Sequence, residues 1–236
     1  YRRSSIYRED LEAADPQNIL LARGPSFRLS AEMIRDNALA ASGLLVEKVG
    51  GEPVKPYQPD NIWGEKSFFS PKYLVYNQDT GANLYRRSMY TIIKRTSPPP
   101  AMMTFDGNDR SYCVVSRPTT NTPLQALILL NDPTYVEAAR MLAQKVKSEQ
   151  HKDTKELIGL AFRRLTGRKP NEKEMEVLIG LYAQEINHFK NDPNKANQLL
   201  SIGEYPLDTS WDPNELAALT IVNNTIMNHD ESYMRR

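Results

Sequence analysis

At 236 residues, 40% hydrophobic and 25% charged, the chain has a globular composition and ample length for a buried core. Its 30 Lys and Arg stand against 29 Asp and Glu, with the arginines scattered, so nothing points to nucleic acid. No apolar run approaches the roughly eighteen residues of a membrane span, and the single cysteine, Cys113, excludes an internal disulfide, a haem-attachment motif and a zinc knuckle. The chain starts at Tyr1, without Met or a signal-peptide hydrophobic region, and is expected to be a piece of something longer.

Residues 1–29 read as a lead-in. Ser30 then caps a predicted helix whose Met33, Ile34, Ala38, Ala41, Leu44 and Leu45 share one face. Gly43 weakens its last turn, and Gly50 with Gly51 ends any helix. Over residues 50–82, Pro53, Pro56, Pro59 and Pro71 exclude a long helix. Aromatic residues nevertheless concentrate from Tyr57 to Tyr90, among them Trp63, Phe68, Phe69, Tyr73, Tyr76 and Tyr85. Disordered segments are aromatic-poor, so this segment is predicted to wrap over the core in extended form.

Residues 84–96 favour a helix over a strand, with Tyr85, Met89, Ile92 and Ile93 at helical spacing. Pro98, Pro99 and Pro100 end it and continue as polyproline II. Phe105, Asp106, Gly107 and Asn108 form a turn, and residues 112–116 are the one convincing strand. Beyond them the start and stop signals are dense. Thr122 to Gln125 resembles a capping box with Pro123 at the first helical position, and Asp132 with Pro133 opens the next helix. Asp153 opens another, closed by Gly167; Asn171 and Glu174 open a fourth, and Asp212 with Pro213 the last. Residues 191–211 read as a linker with one helical turn near 197–200. The expected fold is mainly α: a bundle or orthogonal array of helices over 122–230, with 50–82 as an outer wrap. All of 1–236 is taken as one domain with little or no β structure.

The central stretch concentrates the unusual polar residues. Arg86, Arg87 and Arg95 form one cluster, with 87 and 95 about two turns apart on a helix. Such guanidinium forks suit a carboxylate or sulfate, or they tie the wrap to the helices through acidic residues. Asp106 is the weak catalytic candidate, since a glycoside hydrolase needs a second carboxylate within roughly 5–10 Å. Asp in such a turn more often bonds its own backbone. Arg117 and Asn121 lie beside a helix N-terminus, where anions bind, although capping alone explains Thr122 and Gln125. Trp63 is the best candidate for an exposed sugar-stacking platform; covering the core is the other use of such an aromatic belt. Cys113, between Tyr112 and Val114, reads as a buried small apolar residue. His151, His188 and His229 are dispersed, with no triad signature and no metal-ligand spacing, so no metal or cofactor is expected in this chain.

Four segments carry a family resemblance: RLSAEMIRDNALAASGLL, YRRSMYTIIKRTSPPPAMMTFD, RPTTNTPLQALILLNDP and ELAALTIVNNTIMNHDE. In order and spacing they resemble the planctomycete-type domain of unknown function that follows cytochrome-c-like domains, the DUF1553 family. The resemblance spans nearly all of the chain, to about Glu231, while the family's N-terminal part would precede Tyr1. It implies an exported multidomain protein of planctomycetes or related bacteria, with haem on a separate cytochrome c domain and genes for polysaccharide degradation nearby. It supplies no catalytic residues, and His229 departs from the apolar residue usual at its position. The function expected is therefore a binding or scaffold domain meeting neighbouring domains of its own polypeptide or an acidic glycan. The alternative is the C-terminal part of a polysaccharide-acting enzyme whose site is completed elsewhere.

Overall fold

The computed structural model describes residues 3–5, 7–64, 75–149 and 153–235. Phe68, Phe69, Pro71, Tyr73 and His151 lie outside the described residues. The lead-in holds α1 (Glu9–Ala14) and β1 (Phe27–Arg28). Ser30 caps α2 (Ala31–Ser42) by accepting the Met33 amide, and Gly43 closes it in the left-handed conformation. Ile34, Ala38 and Leu44 of the predicted apolar face are buried, whereas Met33 is exposed.

From 46 to 64 and from 75 to 98 the chain forms no α-helix. Residues 84–96 do not form the predicted helix. Two 3-10 turns, Gly81–Tyr85 and Ser88–Tyr90, are joined by extended backbone that bridges Val46 to Arg86 and Val54 to Thr91. Partners outside the segment decide this, because the 46–54 backbone offers hydrogen bonds that an isolated helix would have had to make internally. The triple proline leads into a helix: Pro100 occupies the first position of α3 (Pro100–Thr104). Residues 112–116 form no strand. Their β-prone side chains lie on an exposed loop with Val115 fully in solvent, because no neighbouring strand pairs with them.

The helices that follow begin where the sequence marks them: α4 (Pro123–Asn131), α5 (Pro133–Glu149), α6 (Thr154–Thr166), α7 (Glu172–Asn191), α8 (Pro193–Leu200), α9 (Pro213–Met227) and α10 (Asp230–Tyr233). Asp153, Asn171 and Asp212 each accept the third amide of their helix, and Asn171 with Glu174 completes a capping box. Thr122 makes no such bond. The single turn expected near 197–200 is the second half of the eight-residue α8. The described residues close with β2 (Met234–Arg235), antiparallel to β1 with Phe27 opposite Arg235, which ties the end of the lead-in to the segment after α10.

The architecture is mainly α. Helices α5 and α9 form its centre, with α2 and α4 beside α5, and α6, α7 and α8 beside α9. Ala138, Ala139 and Ala143 on α5, with Ala217 and Ala218 on α9, let the two helices approach closely while burying both nearly all round. Asn223 and Asn224, also buried, donate to the carbonyls of Ala139 and Leu129 at 3.2 and 2.8 Å, pinning α9 to α5 and α4. No helix of the described residues is long and apolar enough to cross a membrane.

Candidate functional site

The loop from 104 to 122 is closed by Asp106. Its residue leaves α3 at φ 57°, and its carboxylate faces the first part of the chain rather than its own backbone. Arg28 Nη2 donates to Oδ2 at 2.6 Å, and the Thr120 amide and hydroxyl donate at 2.9 and 3.0 Å. The same guanidinium also reaches the carbonyls of Phe105 and Thr120. Side-chain exposures of 8% and 11% place the pair at the edge of the interior. Burial alone would raise the Asp106 carboxyl, but the Arg28 hydrogen bond and the two from Thr120 outweigh it and hold its pKa below the ordinary value. A carboxylate fixed in its ionised form with all donors in place is a structural clamp, unsuited to donating a proton at neutral pH.

Arg117 forms a two-pronged ion pair with Glu32 of α2, at 2.7 and 3.0 Å. Asn121 is exposed just before α4. Gln125 does not complete a capping box; its buried amide donates to the carbonyls of Thr104 and Thr120, bracing the Asp106 loop from below.

The arginine cluster comes apart. Arg86 is buried and donates to the carbonyls of Lys48, Gly50 and Glu52 while stacking on Tyr90 at 4.0 Å. It holds the irregular 48–52 backbone and presents no fork to a ligand. Arg87 points the other way, half exposed, with Glu47 at 4.0 Å, and Arg95 is exposed. The two share no helix face, because there is no helix. Trp63 is 3% exposed and so is not a sugar platform. Its ring meets Tyr76 edge-on at 5.0 Å and lies under Lys94 at 5.0 Å and Lys55 at 6.0 Å. Cys113, expected to be buried, is exposed. His229 accepts the Glu231 amide at the start of α10, and His188 packs beside Phe189. Among the described residues no group of His, Cys, Asp and Glu could hold a metal ion.

Two features have no signal in the sequence. The first is a buried hub on α5. Glu137 and Arg140, a turn apart and essentially inaccessible, look in sequence like an ordinary exposed helix pair. Glu137 accepts from Tyr85 Oη at 2.9 Å, Tyr57 Oη at 3.0 Å and the Tyr205 amide at 2.7 Å. Burial, with the neighbouring tyrosine and carboxylate, pushes the Tyr85 phenol far up, so it stays a donor. The second is Arg35 of α2, buried, which donates to the carbonyls of Leu84 and Arg86 and to Ser88 Oγ.

Open depressions on the surface of the described residues include two large ones. The larger, about 1150 Å³, runs between the 5–26 segment and the end of α6 and gathers none of the candidates. The other, about 560 Å³, lies between residues 57–59 and α4, with Asp132 in its lining.

Residues 1–182 match the model of PSD1, a family described as protein of unknown function (DUF1553). The chain belongs to that family. The two most distinctive segments, 85–106 and 121–133, fall within the match, while the last of the four resembling segments, 215–231, falls beyond it. No curated protein and no solved structure matches this DUF1553 chain.

Proposed function

We propose that this DUF1553 chain is a non-catalytic binding or scaffold domain within an exported, cytochrome-c-associated protein. One observation carries the reading: the charged residues of the central loop that chemistry would need are already held by partners from elsewhere in the chain. Asp106 is held by Arg28 and Thr120, Arg117 by Glu32, and Arg86 by three backbone carbonyls. An active site leaves such groups converging on a space for substrate. Here they close the space and fix a long irregular segment against α2. The partners are then neighbouring domains of the same polypeptide, with haem carried by one of them. Of the candidate arginines, an acidic glycan would meet Arg95, exposed, and Arg87, half exposed beside Glu47.

The test uses the whole polypeptide, with Asp106→Asn and Arg87→Ala variants assayed for turnover of sulfated and uronic-acid polysaccharides and for binding to them. Under the scaffold reading Asp106→Asn lowers folding stability and leaves any turnover per folded molecule unchanged. Turnover abolished in a variant as stable as the parent would overturn it. Salt-sensitive glycan binding lost in Arg87→Ala would place the glycan contact on that exposed face.

A further inference from the structure

We propose that the groove between residues 57–59 and α4 is a binding site for a small amphiphilic amine, its apolar body lying on α4 and its ammonium on Asp132. The cavity volume of about 560 Å³ falls within the roughly 300–1,000 Å³ of small-molecule sites. One wall is α4, a helix apolar on nearly every side. Leu129 faces the core, while Leu124 and Leu127 line the groove at 62% and 57% exposure. A helix apolar all round is normally covered. Tyr57, Pro59 and Pro133 continue the apolar surface.

The charge in the groove selects the ligand's head. Among the described residues of the lining, Asp132 is the one acidic side chain, and no Lys, Arg or His joins it there. Its Oδ1 accepts the Thr134 amide at 2.9 Å as it leads into α5. Behind it, a cavity of about 30 Å³ is lined by Asp132, Thr134, Tyr135 and Arg35. Arg35 makes no hydrogen bond to the carboxylate: its Nη1 and Nη2 are turned to Leu84, Arg86 and Ser88, its Nε is buried without a partner, and Asp36 beside it shares its charge. Tyr57, from the opposite wall, gives its hydroxyl to Glu137. Burial therefore raises the Asp132 carboxyl against the pull of Thr134 and the more distant Arg35. An ammonium seated in the groove supplies the opposite charge that this desolvated carboxylate lacks. A second polar group points the same way: Gln58, in the 57–59 wall, keeps both amide atoms buried without a partner. Native folds rarely leave such groups unpaired.

The proposal extends past the scaffold reading and does not depend on it. Its test is calorimetric titration of the chain with 2-phenylethylamine and with 2-phenylethanol, matched in shape but differing in charge. The amine is expected to bind roughly tenfold or more tightly than the alcohol. Asp132→Asn keeps an acceptor for the Thr134 amide and should remove that preference, leaving weak binding of both. Leu127→Gln, at an exposed position that does not threaten folding, should weaken both ligands. Equal affinity for amine and alcohol in the unaltered chain would overturn the proposal without recourse to any variant. So would a preference that survives Asp132→Asn, or no binding of either up to about 10 mM.

Discussion

Replacing Gly203 by alanine probes the buried hub directly. Gly203 sits at φ 94°, where an L side chain costs roughly 1–2 kcal/mol. An added Cβ would also land on the Glu137 carboxyl group, far inside contact distance of Cδ and Oε1. Glu137 has no room to retreat, being 0% exposed and held by Tyr57, Tyr85 and the Tyr205 amide. Displacing it frees two phenols and strands the Arg140 guanidinium, whose Nε and Nη1 are already buried without partners. Breaking a buried charged network of this kind costs about 3–5 kcal/mol.

Gly167 supplies the control. It has a similar φ of 81°, but an added Cβ there meets nothing within 4 Å. Gly167→Ala should lose only the backbone term, about 1 kcal/mol. The difference between the two variants then isolates the clash on Glu137. A gap of about 3 kcal/mol corresponds to a Tm difference of roughly 6–12 °C in a chain of this size. Urea denaturation followed by far-ultraviolet circular dichroism measures it, with unchanged slopes confirming that the same surface is exposed on unfolding. Equal losses in the two variants would refute the reasoning, showing that the 201–205 loop yields and the hub is not rigid.

Glu174 links α7 to Arg168, whose hydrogen bond is the main reason its pKa falls to about 2 from 4.5. A lowered folded-state pKa means stability that is present above the unfolded value and lost as pH falls through the folded one. Glu174→Gln should therefore cost about 1–2 kcal/mol at pH 7, allowing for partial exposure, with the gap narrowing below pH 4.5 and closing near pH 2; a pH-independent gap in urea titrations contradicts this. Arg86→Ala strands three carbonyls and should cost about 2–4 kcal/mol, whereas Arg87→Ala next to it should stay within about 0.5 kcal/mol; thermal melts that move equally for the two variants contradict this. Cys113 should react with a thiol reagent in the native protein as fast as in the unfolded one, since it is exposed, and a reaction gated by unfolding would place it inside.

What the sequence made legible is local. Ser30, Asp153, Asn171 and Asp212 cap their helices with their own side chains, and Gly43 and Gly167 end two of them, so a window of a few residues sufficed. Thr122 carries the same signal and makes no cap: the Gln125 backbone amide goes to the Thr122 carbonyl rather than its hydroxyl, and the Gln125 side-chain amide is turned to Thr104 and Thr120. Residues 84–96 carry helical spacing, yet Val46, Val54 and Arg35, roughly forty to fifty positions away, claim their backbone groups. Residues 112–116 carry β-prone side chains with no strand beside them. Propensity was read correctly in both places and overruled by what the segment meets.

The candidate residues show the same division, and it bears on function. Asp106 was placed correctly in a turn, but its partner is Arg28, 78 positions earlier, which no local pattern reveals. Arg28, Arg35, Arg86 and Arg140 each donate to backbone carbonyls, the last to Tyr205 at 2.7 Å. A guanidinium has five donors in a rigid fork and can satisfy several carbonyls at once. In a chain with long irregular stretches these arginines take the place of the hydrogen-bond ladder that a sheet would provide. Arginines so used are unavailable for ligands; Arg86 is one of them, whereas the candidates Arg87, Arg95 and Asn121 stay exposed. A recognition surface must then be sought among groups the fold leaves unsatisfied. Gln58, with both amide atoms unpartnered, and the exposed leucines of α4 meet that condition around one groove, which Asp132 also lines.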